Sequence, residues 1–178
     1  MQSEHIVRSY FKIQKSGRPK RIYELTETGH ELFPRRYDVV LLPLLQKLEQ
    51  TYGHRQLKRT IESLADDLAL EIKNKIEKVN KAEKLGTSLR VLNSVSNDIG
   101  FVSSVVKEGK MYSIVSRNCP VHKAALANQD AICEGFHTRM IRQVLDGEFE
   151  GAVQLKECMA LGNKFSRHVI TNGVTPDK

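Results

Sequence analysis

RSYFKIQKSGRPKRIYELTETG, Arg8 to Gly29, reads as two short strands around a basic turn that run straight into a helix start. Ile6 to Ile13 and Arg21 to Leu25 are rich in β-branched and aromatic residues, and Gly17 and Pro19 between them predict a hairpin. Thr26 offers its hydroxyl as N-cap to the next helix, and Glu27 puts an anion in the first turn, where the helix dipole favours it. Six cations, Arg8, Lys12, Lys15, Arg18, Lys20 and Arg21, fall in this segment with no acid between the first and the last. Such a hairpin has the shape of a DNA-binding wing, whose tip reaches phosphates or a minor groove. A winged helix reads bases with a helix that precedes the wing, and only seven residues precede Arg8. The expectation is a wing without a complete recognition helix, either from a truncated start or from loss of the base-reading helices. The bland alternative is a hairpin that serves folding or protein contact.

The charge distribution favours the first reading. Residues 1–60 hold 12 Lys+Arg against 6 Asp+Glu, whereas residues 61–178 hold 16 against 15, so the net +7 of the chain is +6 in the first third and +1 in the rest. A localised excess is better evidence for a nucleic-acid face than a high isoelectric point spread over the chain. With 178 residues, 40% of them apolar, the chain can bury one moderate core or two small ones. Its longest apolar run, Val39 to Leu45, contains Pro43 and falls far short of the roughly 20 residues of a membrane helix, so no membrane partner is expected. The opening residues carry no apolar stretch followed by small residues, and the expected location is cytoplasmic.

Outward from the hairpin the pattern is helical, then mixed. Pro34 interrupts the helix that Thr26 starts, and Arg35 to Tyr52 continues with Val39, Val40, Leu42, Leu45 and Leu48 at helical spacing until Gly53. From His54 to about Lys84 the apolar residues Leu57, Ile61, Leu64, Leu68, Ile72, Ile76 and Val79 recur every three or four positions, predicting a long helix with one stripe to bury. The spacing drifts from a strict heptad, which suits a bundle as well as a two-stranded coil; a homodimer is the expectation, since DNA readers are commonly twofold. After Gly86 the elements shorten: a helix over Leu89–Ile99, strands over Phe101–Val106 and Met111–Ser116, helices over Val121–Ala127 and Ala131–Leu145, and strands over Val153–Met159 and Phe165–Thr171. The expected class is α+β. Its parts are a wing and following helix over 1–33, a helical linker or dimerisation segment over 34–85, and a C-terminal domain with a small antiparallel sheet over 86–178.

Three cysteines, Cys119, Cys133 and Cys158, all lie in the final third, separated by 13 and 24 residues. An odd number argues against a disulfide framework, and the gaps are too wide for a zinc knuckle, so a shared site needs assembly by the fold. By spacing alone, unrelated and partly buried cysteines are the simpler reading. Cys133, near a predicted helix start, is expected to have a lowered thiol pKa. His122, three residues after Cys119, is the histidine best placed by proximity to join a metal site, ahead of His137 and His168. Asp66-Asp67 falls on a polar helix face and reads as solvated. GxSxG, Walker, GxGxxG and HExxH motifs are absent, and an enzyme is not expected.

Gly17-Arg18-Pro19, Tyr23-Glu24-Leu25-Thr26-Glu27-Thr28-Gly29 and Leu32-Phe33-Pro34-Arg35-Arg36-Tyr37 together resemble the wing and following helix of bacterial and archaeal winged-helix regulators, in particular the SufR-like group. Asn118-Cys119-Pro120, Cys133, Glu157-Cys158-Met159 and Gly162-Asn163 resemble the cysteine-bearing sensor domain of the same group. The resemblance implies a transcription regulator whose cysteines hold an iron–sulfur cluster, with Cys119, Cys133 and Cys158 as metal ligands. Zinc is the alternative metal. The family's fourth cysteine position falls on Ser166 here, so Ser166 or His122 is the candidate fourth ligand. The expected function is DNA binding controlled by iron–sulfur or redox status. A chain without its base-reading helices would act as a dimerising antagonist of a full-length relative. The rivals are a metal-independent dimerising interaction protein and a metal-free thiol redox sensor.

Overall fold

The computed structural model describes residues 5–14, 17–30, 32, 36–78, 84–109, 111–146 and 151–172. The architecture is α+β, with one two-stranded and one four-stranded antiparallel sheet. Two compact units divide the chain, Met1–Val39 and Val40–Lys178.

The first unit is the hairpin and a short helix. Strands β1 (Val7–Lys12) and β2 (Lys20–Leu25) pair antiparallel in a register that sets Arg8 opposite Glu24, Tyr10 opposite Ile22 and Lys12 opposite Lys20. Helix α1 (Glu27–His30) starts as the sequence predicts, with the Gly29 N–H donating to the Thr26 Oγ1 at 3.1 Å. Thr26 also ties the helix to the strand entry, through its N–H to the Ile6 carbonyl at 3.0 Å and its hydroxyl to the His5 carbonyl. That approach leaves room only for glycine at position 29, where a Cβ would lie 2.2 Å from the Ile6 oxygen. Lys15 and Pro34 lie outside the described residues.

The second unit holds most of the helices and the larger sheet. Helix α2 runs Asp38–Tyr52 and α3 His54–Glu77; Gly53 between them has φ +81°, which a residue with a Cβ rarely adopts. The helix expected to reach Lys84 ends at Glu77, and α4 (Lys84–Ile99) begins five residues ahead of the expected Leu89. α3 and α4 pack on each other, whereas periodicity alone reads the stretch as one continuous helix. The buried stripe of α3 also differs in composition: it is Leu57, Ile61, Ala65, Ala69, Ile72 and Ile76, while Leu64 is 55% exposed and Val79 lies outside the described residues. The alanines win because the neighbouring helices approach closely there. This stripe is covered within the chain, so a second subunit is not required to bury it.

Next come β3 (Ser103–Glu108), β4 (Met111–Ser116), α5 (His122–Ala127), a π-helix (Asp130–Thr138) that continues into α6 (Arg139–Leu145), β5 (Gly151–Glu157), one 3₁₀ turn (Met159–Leu161) and β6 (Ser166–Asn172). The strand order is β3-β4-β6-β5, antiparallel throughout. Ile114, Val153 and Ile170 from this sheet join Ile72, Leu89, Leu92, Met140 and Ile141 from α3, α4 and α6 in the main core. Along β6 the alternate residues Ser166, His168 and Ile170 are all buried, so one strand carries the core-facing side of the sheet from apolar to polar.

Ionic contacts hold the π-helix and α6 on α3. His54 meets Glu49 at 2.8 Å and Asp130 at 2.9 Å, at the start of α3. Midway along, Arg139 grips Asp66 with two bonds of 2.7 and 2.8 Å. Asp66, expected to be merely solvated, is thus paired, and the Arg139 hydrogen bond holds its carboxyl below the ordinary value. A depressed carboxylate pKa contributes stability that is complete above its unfolded value of about 3.9 and is lost as the pH falls through the native one. Asp66→Asn should therefore cost about 0.5–1 kcal/mol near neutrality, the modest figure reflecting the pair's partial exposure, and the difference should vanish in acid. Urea titrations at neutral and acid pH test this; a constant difference across pH would remove the pair from the account.

Candidate functional site

The three cysteines come from three separate elements and meet at one place. Cys119 sits in the turn after β4, where Asn118 donates from Nδ2 to the Gly100 carbonyl at 2.6 Å and the His122 N–H donates back to the Cys119 carbonyl. Cys133 is inside the π-helix, a form that is rare and concentrated at functional positions. Cys158 follows β5 in a turn closed by its own N–H to Asn163 Oδ1 at 3.0 Å, the role that the Gly162-Asn163 pair plays. All three line a small, partly open cleft of about 20 Å³, together with Phe101, Ser166, His137 and His168.

The sulfurs of Cys133 and Cys158 are 3.4 Å apart, both residues are buried, and Cys119 is half-buried. Burial is the main reason that the Cys133 thiol is pushed well up, and the neighbouring Cys158 and Cys119 add to it. The Cys119 thiol is raised for the same first reason. The lowered pKa expected of Cys133 at a helix start is therefore reversed: it lies within the helix and out of water, where a thiolate is costly. Among the described residues that line the cleft there is no lysine or arginine to offset a thiolate's charge. Among the described residues, no three His, Cys, Asp or Glu side chains are gathered closely enough to hold a single metal ion.

Of the two candidate fourth ligands, Ser166 lies in the cleft wall, its Oγ accepting the Met159 N–H at 3.1 Å. His122, the first residue of α5, is not among the lining residues. The two histidines ranked behind it are. His137 stacks on Phe101 with ring centroids 4.3 Å apart and meets His168 edge-on at 4.5 Å. Burial pushes His137 down to about 4 and is the main reason that His168 falls well below its ordinary value, so both rings are neutral near pH 7. Signals for both were present, in the helical step from Cys133 to His137 and the two-residue step along a strand from Ser166 to His168.

In the hairpin, the expected DNA-contacting residues divide by face. Arg8 pairs with Glu24 at 3.2 Å, and Tyr10 donates to the same carboxylate at 2.7 Å, so Arg8 has a protein partner for its charge. Lys12 and Lys20 stand directly opposite each other, an arrangement of like charges that disfavours the bare hairpin and favours a bound anion. On the other face, Arg21 donates to Ser9 Oγ and lies over the rings of Phe11 and Tyr23, at 5.7 and 5.5 Å, and both rings are more than half exposed. Arg18 is exposed in the turn. No helix among the described residues is long and apolar enough to cross a membrane. No protein-family model matches this chain, and no curated protein matches it.

The differing burial of the thiols sets their order of reaction, since the thiolate is the nucleophile and must be reachable. In metal-free protein, iodoacetamide at neutral pH should label Cys119 ahead of the buried Cys133 and Cys158, as read by peptide mass spectrometry. Equal labelling of Cys133 and Cys119 would mean that the cleft is open to its floor.

Proposed function

We propose that this chain is a DNA-binding transcription regulator that responds to iron–sulfur or redox status through the cleft lined by Cys119, Cys133 and Cys158. The observation that carries the reading is the meeting of all three cysteines, from a turn, a π-helix and a strand end, in one cleft. Burial first, and the neighbouring sulfurs second, raise the Cys119 and Cys133 thiols, and a metal-bearing group bound there would offset that cost, because metal binding and thiol deprotonation are linked. Donors spread around a cleft suit a cluster better than one ion, and thiolates are the usual cluster ligands. When bound, a cluster supplies a redox couple and a lability toward oxidants that lets its presence report the state of the cell. The chain's part is to hold Cys133 and Cys158 in a buried wall and to leave Cys119 nearest to solvent.

On the DNA side, the paired Lys12 and Lys20 and the exposed Arg18 neutralise phosphates, and the exposed Phe11 and Tyr23 rings with Arg21 offer stacking surfaces. Such contacts bind with little sequence discrimination. A homodimer belongs to this reading: α2 leaves Val40 and Leu44 71% and 51% exposed, apolar surface that a second copy would cover. Binding at the cleft then alters DNA affinity by the difference in its affinity for two arrangements of the protein.

A thiol switch without metal is the second reading, favoured by the 3.4 Å between the Cys133 and Cys158 sulfurs. Iron, sulfide and zinc content of protein purified without oxygen, with its visible spectrum, separates the two. Iron and sulfide in wild type and their loss in Cys119→Ser and Cys158→Ser are expected. A colourless, metal-free protein that loses two thiols to mild peroxide would hand the function to the thiol pair. For the DNA contacts, Arg18→Ala with Lys20→Ala should weaken binding similarly across sequences and reduce the slope of log K against log salt by about 2. An unchanged slope in a salt titration would take the hairpin tip out of the interface.

A further inference from the structure

The polar floor of the cleft is arranged around one histidine. His168 is completely buried on β6, two residues from Ser166 on the same face and opposite Ile114 and Leu155 in the sheet register. Its Nε2 lies 3.1 Å from Thr138 Oγ1, and the Thr138 hydroxyl donates its only proton to the Cys133 carbonyl at 2.9 Å. The Thr138 oxygen must therefore accept from His168, which places the ring proton on Nε2. In a neutral imidazole that leaves Nδ1 as a bare lone pair, and this nitrogen is buried with no hydrogen-bond partner. A buried acceptor without a partner is costly, and natural structures keep few of them without a reason.

The tautomer matters because metal-bound histidines commonly donate their other ring N–H to a fixed acceptor, which orients the ring and makes the lone pair more basic. Here that acceptor is Thr138, and Thr138 is itself bonded to the backbone of Cys133, so ring and thiol belong to one rigid arrangement. Ser166 is a weaker candidate, since its Oγ already accepts the Met159 N–H and an alcohol must lose a proton to become a strong ligand. His122 also has an unpartnered Nδ1 but does not line the cleft. His137 lines it with an unpartnered Nε2, but its ring is packed between Phe101 and His168.

We propose that His168, through Nδ1, is the nitrogen donor of the cleft and completes, with Cys119, Cys133 and Cys158, a three-sulfur, one-nitrogen ligand set for an iron–sulfur cluster, with Thr138 as its positioning residue. The proposal rests on the cluster reading given above and adds the fourth ligand. Exchange of a thiolate for a neutral imidazole removes a negative charge from the ligand set and raises the cluster's reduction potential.

The test uses the full chain, labelled with ¹⁵N-histidine, reconstituted without oxygen with ferrous iron and sulfide, reduced with dithionite and examined by pulsed electron paramagnetic resonance. Wild type should show one strongly coupled histidine nitrogen. His168→Cys should keep iron and sulfide, lose that coupling and have a lower potential, with circular dichroism of the metal-free variant reporting its folding. Thr138→Val, which keeps the ring and removes its acceptor, should release iron to a chelator tenfold or more faster. A coupled nitrogen that persists in His168→Cys or vanishes in His137→Ala overturns the assignment, as does a loaded wild type without one. Unchanged iron release in Thr138→Val with wild-type coupling overturns the positioning role. A wild type that takes up neither iron nor sulfide overturns the cluster reading and this proposal together.

Discussion

The close approach of α3 to the π-helix and α6 is the constraint on which the second unit depends. Ala65 and Ala69 are completely or almost completely buried in that seam, and only side chains of their size let two helices lie so near. The seam sets the height of the π-helix over the sheet and thereby the height of Cys133 above β6. Asp66–Arg139 and His54–Asp130 mark its middle and its start with directional bonds, which fix register more than they add stability. Without that register, Thr138 could not bond the Cys133 carbonyl and His168 at once.

Where the seam ends, the interior changes character. The main core is aliphatic as far as Ile114, Ile170 and Met140, and beyond them the buried residues are His137, Thr138, His168, Ser166 and two cysteines. A protein gains nothing in stability from replacing aliphatic side chains by polar ones that lack partners, since each unpartnered group carries a desolvation cost. The unpartnered nitrogens of His137 and His168 fall in this region, as do the raised thiols of Cys119 and Cys133. Departures from local stability are expected where function resides.

Much of this architecture was legible in the chain. The hairpin was expected over Ile6–Ile13 and Arg21–Leu25 and lies at Val7–Lys12 and Lys20–Leu25, because alternation and a Gly-Pro turn are local signals. The strands around Gly162-Asn163 were legible for the same reason. Helix lengths in the middle are not, as periodicity does not tell one long helix from two that pack on each other. The π-helix is not legible either: Asp130 to Thr138 has the spacing of any amphipathic helix. Convergence of the cysteines required that packing, which explains why spacing alone favoured unrelated thiols. His168 is not marked by spacing, since its hydrogen bond reaches a residue 30 positions away.

The same geography bears on how a bound group would act on the protein. The cleft walls come from the turn at 118–120, the π-helix and the turn at 158–166, which are distant in sequence and joined through the sheet. The wall holds Cys119 and Cys133 thiols whose ionisation burial disfavours, and its polar floor carries the unpartnered Nδ1 of His168. A cation-bearing group would convert that disfavour into attraction and tie three segments together, so its binding energy would appear directly as stability of the surrounding structure. A site that is costly when empty and stabilising when filled has a large free-energy difference between its two conditions. That difference is the quantity any sensor must draw on, since a ligand shifts a conformational equilibrium only by its differential affinity for the two states.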